Sequence, residues 1–161
     1  MEFKPNKIIF HHTADAWPGW QFDKTNRSHK QRGFPISSFR YSVGYHFFIE
    51  RDGTTIFARS LDEIGAHCRG QNEQAFGVGL AGNFNIEQPT EEQIKALGLW
   101  CNILMDRNNI SIRAIKPHRL YRPTDCPGSN VEDNLAANAV IAQELSIVRK
   151  IQLWIKLNWK N

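Results

Sequence analysis

Two stretches of this 161-residue chain carry side chains able to do chemistry together. One is His118-Arg-Leu-Tyr-Arg-Pro-Thr-Asp-Cys126-Pro-Gly128; the other is the His11-His12 pair that closes an apolar run, Lys7-Ile-Ile-Phe. Imidazole nitrogen and thiolate sulfur are the donors zinc prefers, and two histidines with one cysteine can hold the ion with its fourth position open to water. That is the layout of a hydrolytic centre. His118 and Cys126 stand eight positions apart among Pro117, Pro123 and Pro127, so they can converge within a loop, without helical spacing. A lone histidine or cysteine is more often structural, and Cys68 and Cys101 are read as buried, inert thiols. A second reading of the same residues is a thiol hydrolase with His118 as base to Cys126. The proline after Cys126 and the lack of a helix start there argue against an activated thiolate.

The elements that must place these residues show in the apolar pattern. Residues 7–11 read as a short buried strand. Residues 14–40 are irregular, broken by Pro18, Gly19, Gly33 and Pro35, with a helix around residues 23–31 that leaves His29 at the surface. Arg51-Asp52-Gly53 between two strand-like runs, 45–50 and 54–58, is a hairpin signal, because Asp-Gly suits a turn that demands positive φ. Glu50 is expected to end its strand at the surface, and His46 to be a satisfied structural histidine. Residues 76–82 form another strand whose glycines permit close backbone approach. Thr90 and Gln93 make a capping box, and Ile94, Leu97, Trp100 or Cys101, and Leu104 give the helix behind it one apolar face. A strand over residues 110–115 delivers the His118 loop, and helix returns from Val131 with Leu135, Ala139, Ala142 and Leu145 in phase. Strands mixed with helices predict an α/β chain, a central mixed β-sheet flanked by helices.

Six motifs follow one another in order: Ile8-Ile-Phe-His-His-Thr-Ala14, Val43-Gly-Tyr-His-Phe-Phe48, Arg51-Asp-Gly-Thr54, Gly65-Ala-His67, Gly77-Val-Gly-Leu80, and His118 with Thr124-Asp-Cys-Pro-Gly128. Together they resemble the type 2 N-acetylmuramoyl-L-alanine amidases, a family that includes small phage lysozyme-type amidases and the animal peptidoglycan recognition proteins. The resemblance runs from about residue 6 to residue 130. It implies a mixed sheet with helices packed on it and a zinc-containing groove. It also implies that His11, His118 and Cys126 hold Zn²⁺, with His12 as a supporting or packing residue. Strand alternation agrees, since His11 and His12 must point to opposite faces.

By the same resemblance, Tyr45 matches a tyrosine whose hydroxyl faces the metal's water or the scissile carbonyl. Thr124 stands where the phage type has lysine and the recognition-protein amidases have threonine; it can hydrogen-bond an oxyanion but brings no positive charge. His67 corresponds to a groove residue that contacts the sugar or stem peptide, and Asn72 in the following loop is a further substrate-binding candidate. The implied reaction is hydrolysis of the amide joining the lactyl group of N-acetylmuramic acid to L-alanine in peptidoglycan. The alternative is a non-catalytic peptidoglycan-binding module, which would lack a ligand; all three are present.

Length and composition fit one soluble domain that can bury a core without disulfide support. Three cysteines form no framework, and no apolar run approaches the roughly 20 residues that cross a bilayer. The N-terminus lacks the apolar core of a secretory signal. The expectation is a monomeric phage or prophage endolysin made in the host cytoplasm and acting on the wall after release, or else a secreted enzyme whose leader is absent from this chain.

Charge separates the chain into two parts, an amidase domain over residues 1–145 and a tail over residues 146–161. The net +4 comes from Arg149, Lys150, Lys156 and Lys160, with no acid after Glu144; the rest of the chain balances sixteen bases against sixteen acids. A neutral body with no binding motif excludes nucleic acid as the expected partner. In the tail Ile147, Ile151, Trp154, Ile155 and Trp159 fall on one helical face and the cations on the others. Such a helix either docks its apolar side on the body, sheltering the two tryptophans, or contacts an anionic envelope or membrane.

Overall fold

Three consecutive apolar side chains, Ile8, Ile9 and Phe10, are all buried in strand β1 (Lys7–His12), and a strand buried on both faces belongs in the middle of a sheet. The computed structural model describes residues 3–158, with the side chains of the last helix described through residue 152. In it β1 runs parallel to both β4 (Ala75–Leu80) and β5 (Ile115–Pro117). Strand β2 (Phe47–Ile49) lies parallel to β4 and antiparallel to β3 (Thr55–Phe57), giving the order β3-β2-β4-β1-β5. The Asp-Gly hairpin forms as expected: Gly53 has φ +83° and the Thr54 amide donates to Asp52 Oδ1 at 2.9 Å.

The two faces of the sheet are built differently. Ile8, Phe10, Phe47, Ile49, Phe76, Val78 and Leu80 share one apolar core with Leu97, Cys101 and Leu104 of α2 (Glu91–Asn108) and Ala136 and Val140 of α3 (Leu135–Asn158). The α2 start carries the expected capping box, Gln93 N–H to Thr90 Oγ1 and Thr90 N–H to Gln93 Oε1, both 3.1 Å. The two helices meet at Gly98, where a Cβ would sit 2.8 Å from the Ala139 carbonyl carbon. On the opposite face the alternate residues of β1 and β4 are Ile9, His11, Ala75, Gly77 and Gly79, a surface low enough for other side chains to lie across it. Helix α1 (Phe22–Gln31) and long loops cover that side.

Four expectations are corrected. Residues 110–115 are not a strand: Ser111 accepts the Arg113 amide, which favours the short 3₁₀ turn Ile112–Ala114, and pairing with β1 begins only at Ile115. Helix α3 begins at Leu135 and buries Ala136, Ala139 and Val140, because the small residues of α2 and α3 must face each other; Ala142 and Leu145 are exposed. Glu50 is buried, its Oε1 accepting the amides of Gln21 (2.8 Å) and Phe22 (2.7 Å) at the start of α1. His29 is buried too, against Phe34 and Tyr45, with its Nδ1 accepting the Gly44 amide at 3.1 Å. His46 is the satisfied histidine expected: Nδ1 accepts from Gly77 N–H and Nε2 bonds to the Glu63 carbonyl.

Every described residue of α3 from 144 to 152 is exposed. The side chains of Trp154, Ile155, Lys156, Trp159 and Lys160 lie outside those described. No helix among the described residues is long and apolar enough to cross a membrane.

Candidate metal centre and groove

His11 stands at the C-terminal end of β1 on the glycine-lined face. Its Nδ1 lies 3.6 Å from Cys126 Sγ, and its ring centroid lies 4.5 Å from that of His118. One donor atom from each of these three residues falls within 4.8 Å of the others. No other such group of histidine, cysteine or acidic side chains occurs among the described residues.

Hydrogen bonding decides which nitrogen of His11 is free. His67 Nε2 lies 3.1 Å from the Ala75 carbonyl, which can only accept, so Nε2 carries the hydrogen. The Nδ1 of neutral His67 is then an acceptor, and it lies 3.0 Å from His11 Nε2. His11 therefore donates through Nε2–H, and its Nδ1 lone pair is left on the side of Cys126. Burial holds His11 well below the ordinary imidazole range, helped by the neighbouring His67 and His118. Burial, then Arg122, also lowers His118. Both rings are neutral at physiological pH, the form that binds metal.

Burial pushes the Cys126 thiol up to about 12. A thiol so placed is protonated unless a cation sits against it, which counts against a free cysteine nucleophile. Two neutral imidazoles and one cysteine that needs a counter-charge match the preferences of zinc.

His118 follows β5 directly, in the short 3₁₀ turn His118–Leu120, and Cys126 returns to it through a clamp. The Arg119 amide donates to the Cys126 carbonyl at 2.9 Å, and its guanidinium bonds the carbonyls of Gly128 (2.8 Å) and Val131 and the Asp133 carboxylate (2.7 Å). Thr124 Oγ1 accepts the Cys126 amide at 3.2 Å. His12 points to the other face, where its Nδ1 accepts the Phe84 amide at 3.1 Å.

Tyr45 lies beside His11, ring centroids 5.1 Å apart, over the backbone of β4. A Cβ on Gly79 would be 2.4 Å from the Tyr45 ring, and one on Gly77 would be 2.6 Å from the His67 ring. The alternate glycines of Gly77-Val-Gly79 thus seat the two rings that flank the metal candidates. Burial raises the Tyr45 hydroxyl above its ordinary range, so it stays a hydrogen donor.

His11, His118, Cys126, Tyr45, His67 and Thr124 all line one cavity of about 370 Å³. Residues 2–129 match the family model for N-acetylmuramoyl-L-alanine amidase. The chain belongs to this amidase family. Among solved structures, the amidase LysC from Clostridium intestinale URNW is 40% identical, with a TM-score of 0.70 over 80% of this chain and 79% of that one. The endolysin of Enterobacteria phage K11 is 31% identical over 109 residues, 65% of this chain and 67% of the relative. Peptidoglycan-recognition protein SC2 of Drosophila melanogaster is 27% identical over 125 residues, 76% of this chain and 68% of the relative. The mixed α/β architecture expected from the sequence is that of these amidase and recognition-protein structures.

Sequence patterns missed several parts of this amidase-family site. His67 lines the cavity, and it also orients His11. Asn72 lines an adjoining cavity, yet its Oδ1 accepts the amides of His67 (3.0 Å) and Cys68 (2.8 Å) and so fixes the loop that carries His67. Arg119 gave no signal beyond its place next to His118. Arg32 and Phe34 from the irregular segment line both cavities, with the Arg32 guanidinium 4.8 Å from the Phe34 ring centre.

Proposed function

We propose that this chain is a zinc-dependent N-acetylmuramoyl-L-alanine amidase that cuts the lactyl–alanine amide of peptidoglycan, acting as a phage or prophage endolysin. The observation that carries this reading is the convergence of His11 Nδ1, His118 and Cys126 Sγ at one cavity wall beside Tyr45. These three side chains would hold Zn²⁺, which supplies Lewis-acid polarisation of the carbonyl and a water of lowered pKa. His67 and the Ala75 carbonyl keep the His11 ring in the tautomer and orientation that binding requires. Tyr45 offers its hydroxyl hydrogen to the carbonyl oxygen as negative charge develops there. Thr124 accepts the Cys126 amide and keeps its own hydroxyl hydrogen for the same oxygen or for the stem peptide. His67, Asn72 and the Arg32–Phe34 pair line the adjoining cavity and would face the glycopeptide there. The leaving alanine amine takes up the proton that the attacking water gives up, relayed through Tyr45 Oη or a bound water.

Peptidoglycan as partner is supported by relatives named endolysin and peptidoglycan-recognition protein, one of the latter solved with tracheal cytotoxin. Endolysin relatives from phages K11 and T3 support action on the wall after release from the host cytoplasm. A binding module without turnover would lack a donor, and the full set here favours catalysis. Mass spectrometry of purified sacculi tests the reading: digestion should expose new free N-terminal alanine, stop with chelator and resume with added Zn²⁺. Sacculi that bind the protein but show no new alanine would overturn it.

A further inference from the structure

We propose that the C-terminal half of α3 is a membrane-surface element that binds anionic lipid bilayers, lying among the headgroups with its apolar side toward the acyl chains. Among the described residues, the last hydrogen bond from α3 to the body is Gln143 Nε2 to the Lys95 carbonyl at 2.5 Å. Beyond it the helix leaves the domain, with Leu145 53%, Ile147 54%, Val148 48% and Ile151 53% exposed. At 100° per residue these four aliphatics fall within an arc of about 160°, and Arg149 and Lys150 lie outside it. By sequence spacing beyond Gln152, Ile155 falls within the apolar arc and Trp154 at its edge, Lys156 falls beside Arg149, and Leu153 and Leu157 fall between Arg149 and Lys150.

Three observations select a bilayer. Four cations with no acid after Glu144, on a chain otherwise neutral, complement an anionic surface. A soluble polyanion would use the cations and leave the aliphatic arc in water, whereas a headgroup interface takes both. A second copy packed on the same arc would bring the four cations of each chain together against a single acid, Glu144. At 1.5 Å per residue, the span from Glu144 to Asn158 is about 22 Å, and with its cations it is too short and too charged to cross the membrane. It lies on the surface.

Co-sedimentation of the full chain with phosphatidylglycerol–phosphatidylcholine vesicles, against phosphatidylcholine alone, tests this independently of hydrolysis. Binding should require the anionic lipid and weaken with salt. Each basic side chain near such a surface is worth about fivefold in partition, so Arg149→Gln with Lys150→Gln should lower binding about thirtyfold. Ile147→Ser with Ile151→Ser should lower it as well, and both variants should keep the thermal transition and sacculus digestion of the parent, since the positions are exposed and line neither groove cavity. Equal binding to neutral vesicles, no vesicle binding, or binding indifferent to either substitution pair would overturn the proposal. So would a concentration-dependent dimer that the isoleucine substitutions dissociate, or capture by teichoic acid that ignores them.

Discussion

His67 Nδ1 lies 3.0 Å from His11 Nε2, and the far nitrogen of the same ring reaches the Ala75 carbonyl at 3.1 Å. The imidazole that the sequence places in the groove therefore also decides the tautomer of the imidazole at the metal candidates. Partners of this kind hold a ligand ring in position, and removing one typically lowers metal affinity by about 10- to 100-fold. His67→Ala should show that loss in a chelator-competition titration with Zn²⁺. A role confined to sugar or stem-peptide contact would instead raise KM with Zn²⁺ affinity unchanged.

Gly79 and Tyr45 make a paired prediction. A methyl on Gly79 would meet the Tyr45 ring at 2.4 Å, and overpacking of this sort costs about 1 to 3 kcal/mol. Gly79→Ala should lower the thermal transition and turnover together, as the ring is pushed off its seat. Tyr45→Phe keeps the ring and removes only the hydroxyl. It should leave the transition in place and lower kcat by about 10²- to 10³-fold, the usual loss of one oxyanion donor.

Glu50 is a structural carboxylate. Its Oε1 accepts two buried amides, from Gln21 and Phe22, where α1 begins. Glu50→Ala strands both donors at about 1 to 3 kcal/mol each. Glu50→Gln retains a carbonyl oxygen and should recover most of that loss. Chemical denaturation of the two variants against the parent measures the difference, and equal midpoints would contradict it.

Acid should destabilise this protein before its carboxylates titrate. Burial lowers His29 and His46 from 6.5 to about 4 in the folded chain. The unfolded chain takes up protons on these groups below pH 6.5 and the folded chain does not. Stability is therefore complete above 6.5 and falls as pH drops from 6.5 towards 4, by up to about 1.4 kcal/mol per pH unit for each histidine. Urea midpoints measured across that window should follow this slope, and His29→Gln should flatten it. A pH-independent midpoint between 6.5 and 4.5 would refute the account.

Short-range physics made much of this molecule readable in advance. The apolar run before His11, the Asp-Gly turn at Gly53 and the Thr90–Gln93 capping box each rest on neighbours a few residues apart, and each forms as read. Misreadings came where packing from elsewhere in the chain overrode local pattern. Polar His29 and Glu50 looked like surface residues, yet the Gly44 amide and the Gln21 and Phe22 amides at the start of α1 needed buried acceptors. Ala142 and Leu145 kept helical phase, but the contact of Gly98 with Ala139 turned α3 to bury Ala136 and Val140 instead.

The kinds of donor, their order and their family resemblance were properties of the sequence by itself: two histidines, a cysteine, a tyrosine and glycines in a strand. Only the tertiary structure chose Nδ1 as the free nitrogen of His11, gave His67 its second partner and closed the Cys126 loop with Arg119. Those outcomes join residues 56 positions apart in the case of His11 and His67, and 115 in the case of His11 and Cys126. Sheet register and the hydrogen-bonding needs of buried groups decide such pairings, and no local periodicity encodes them.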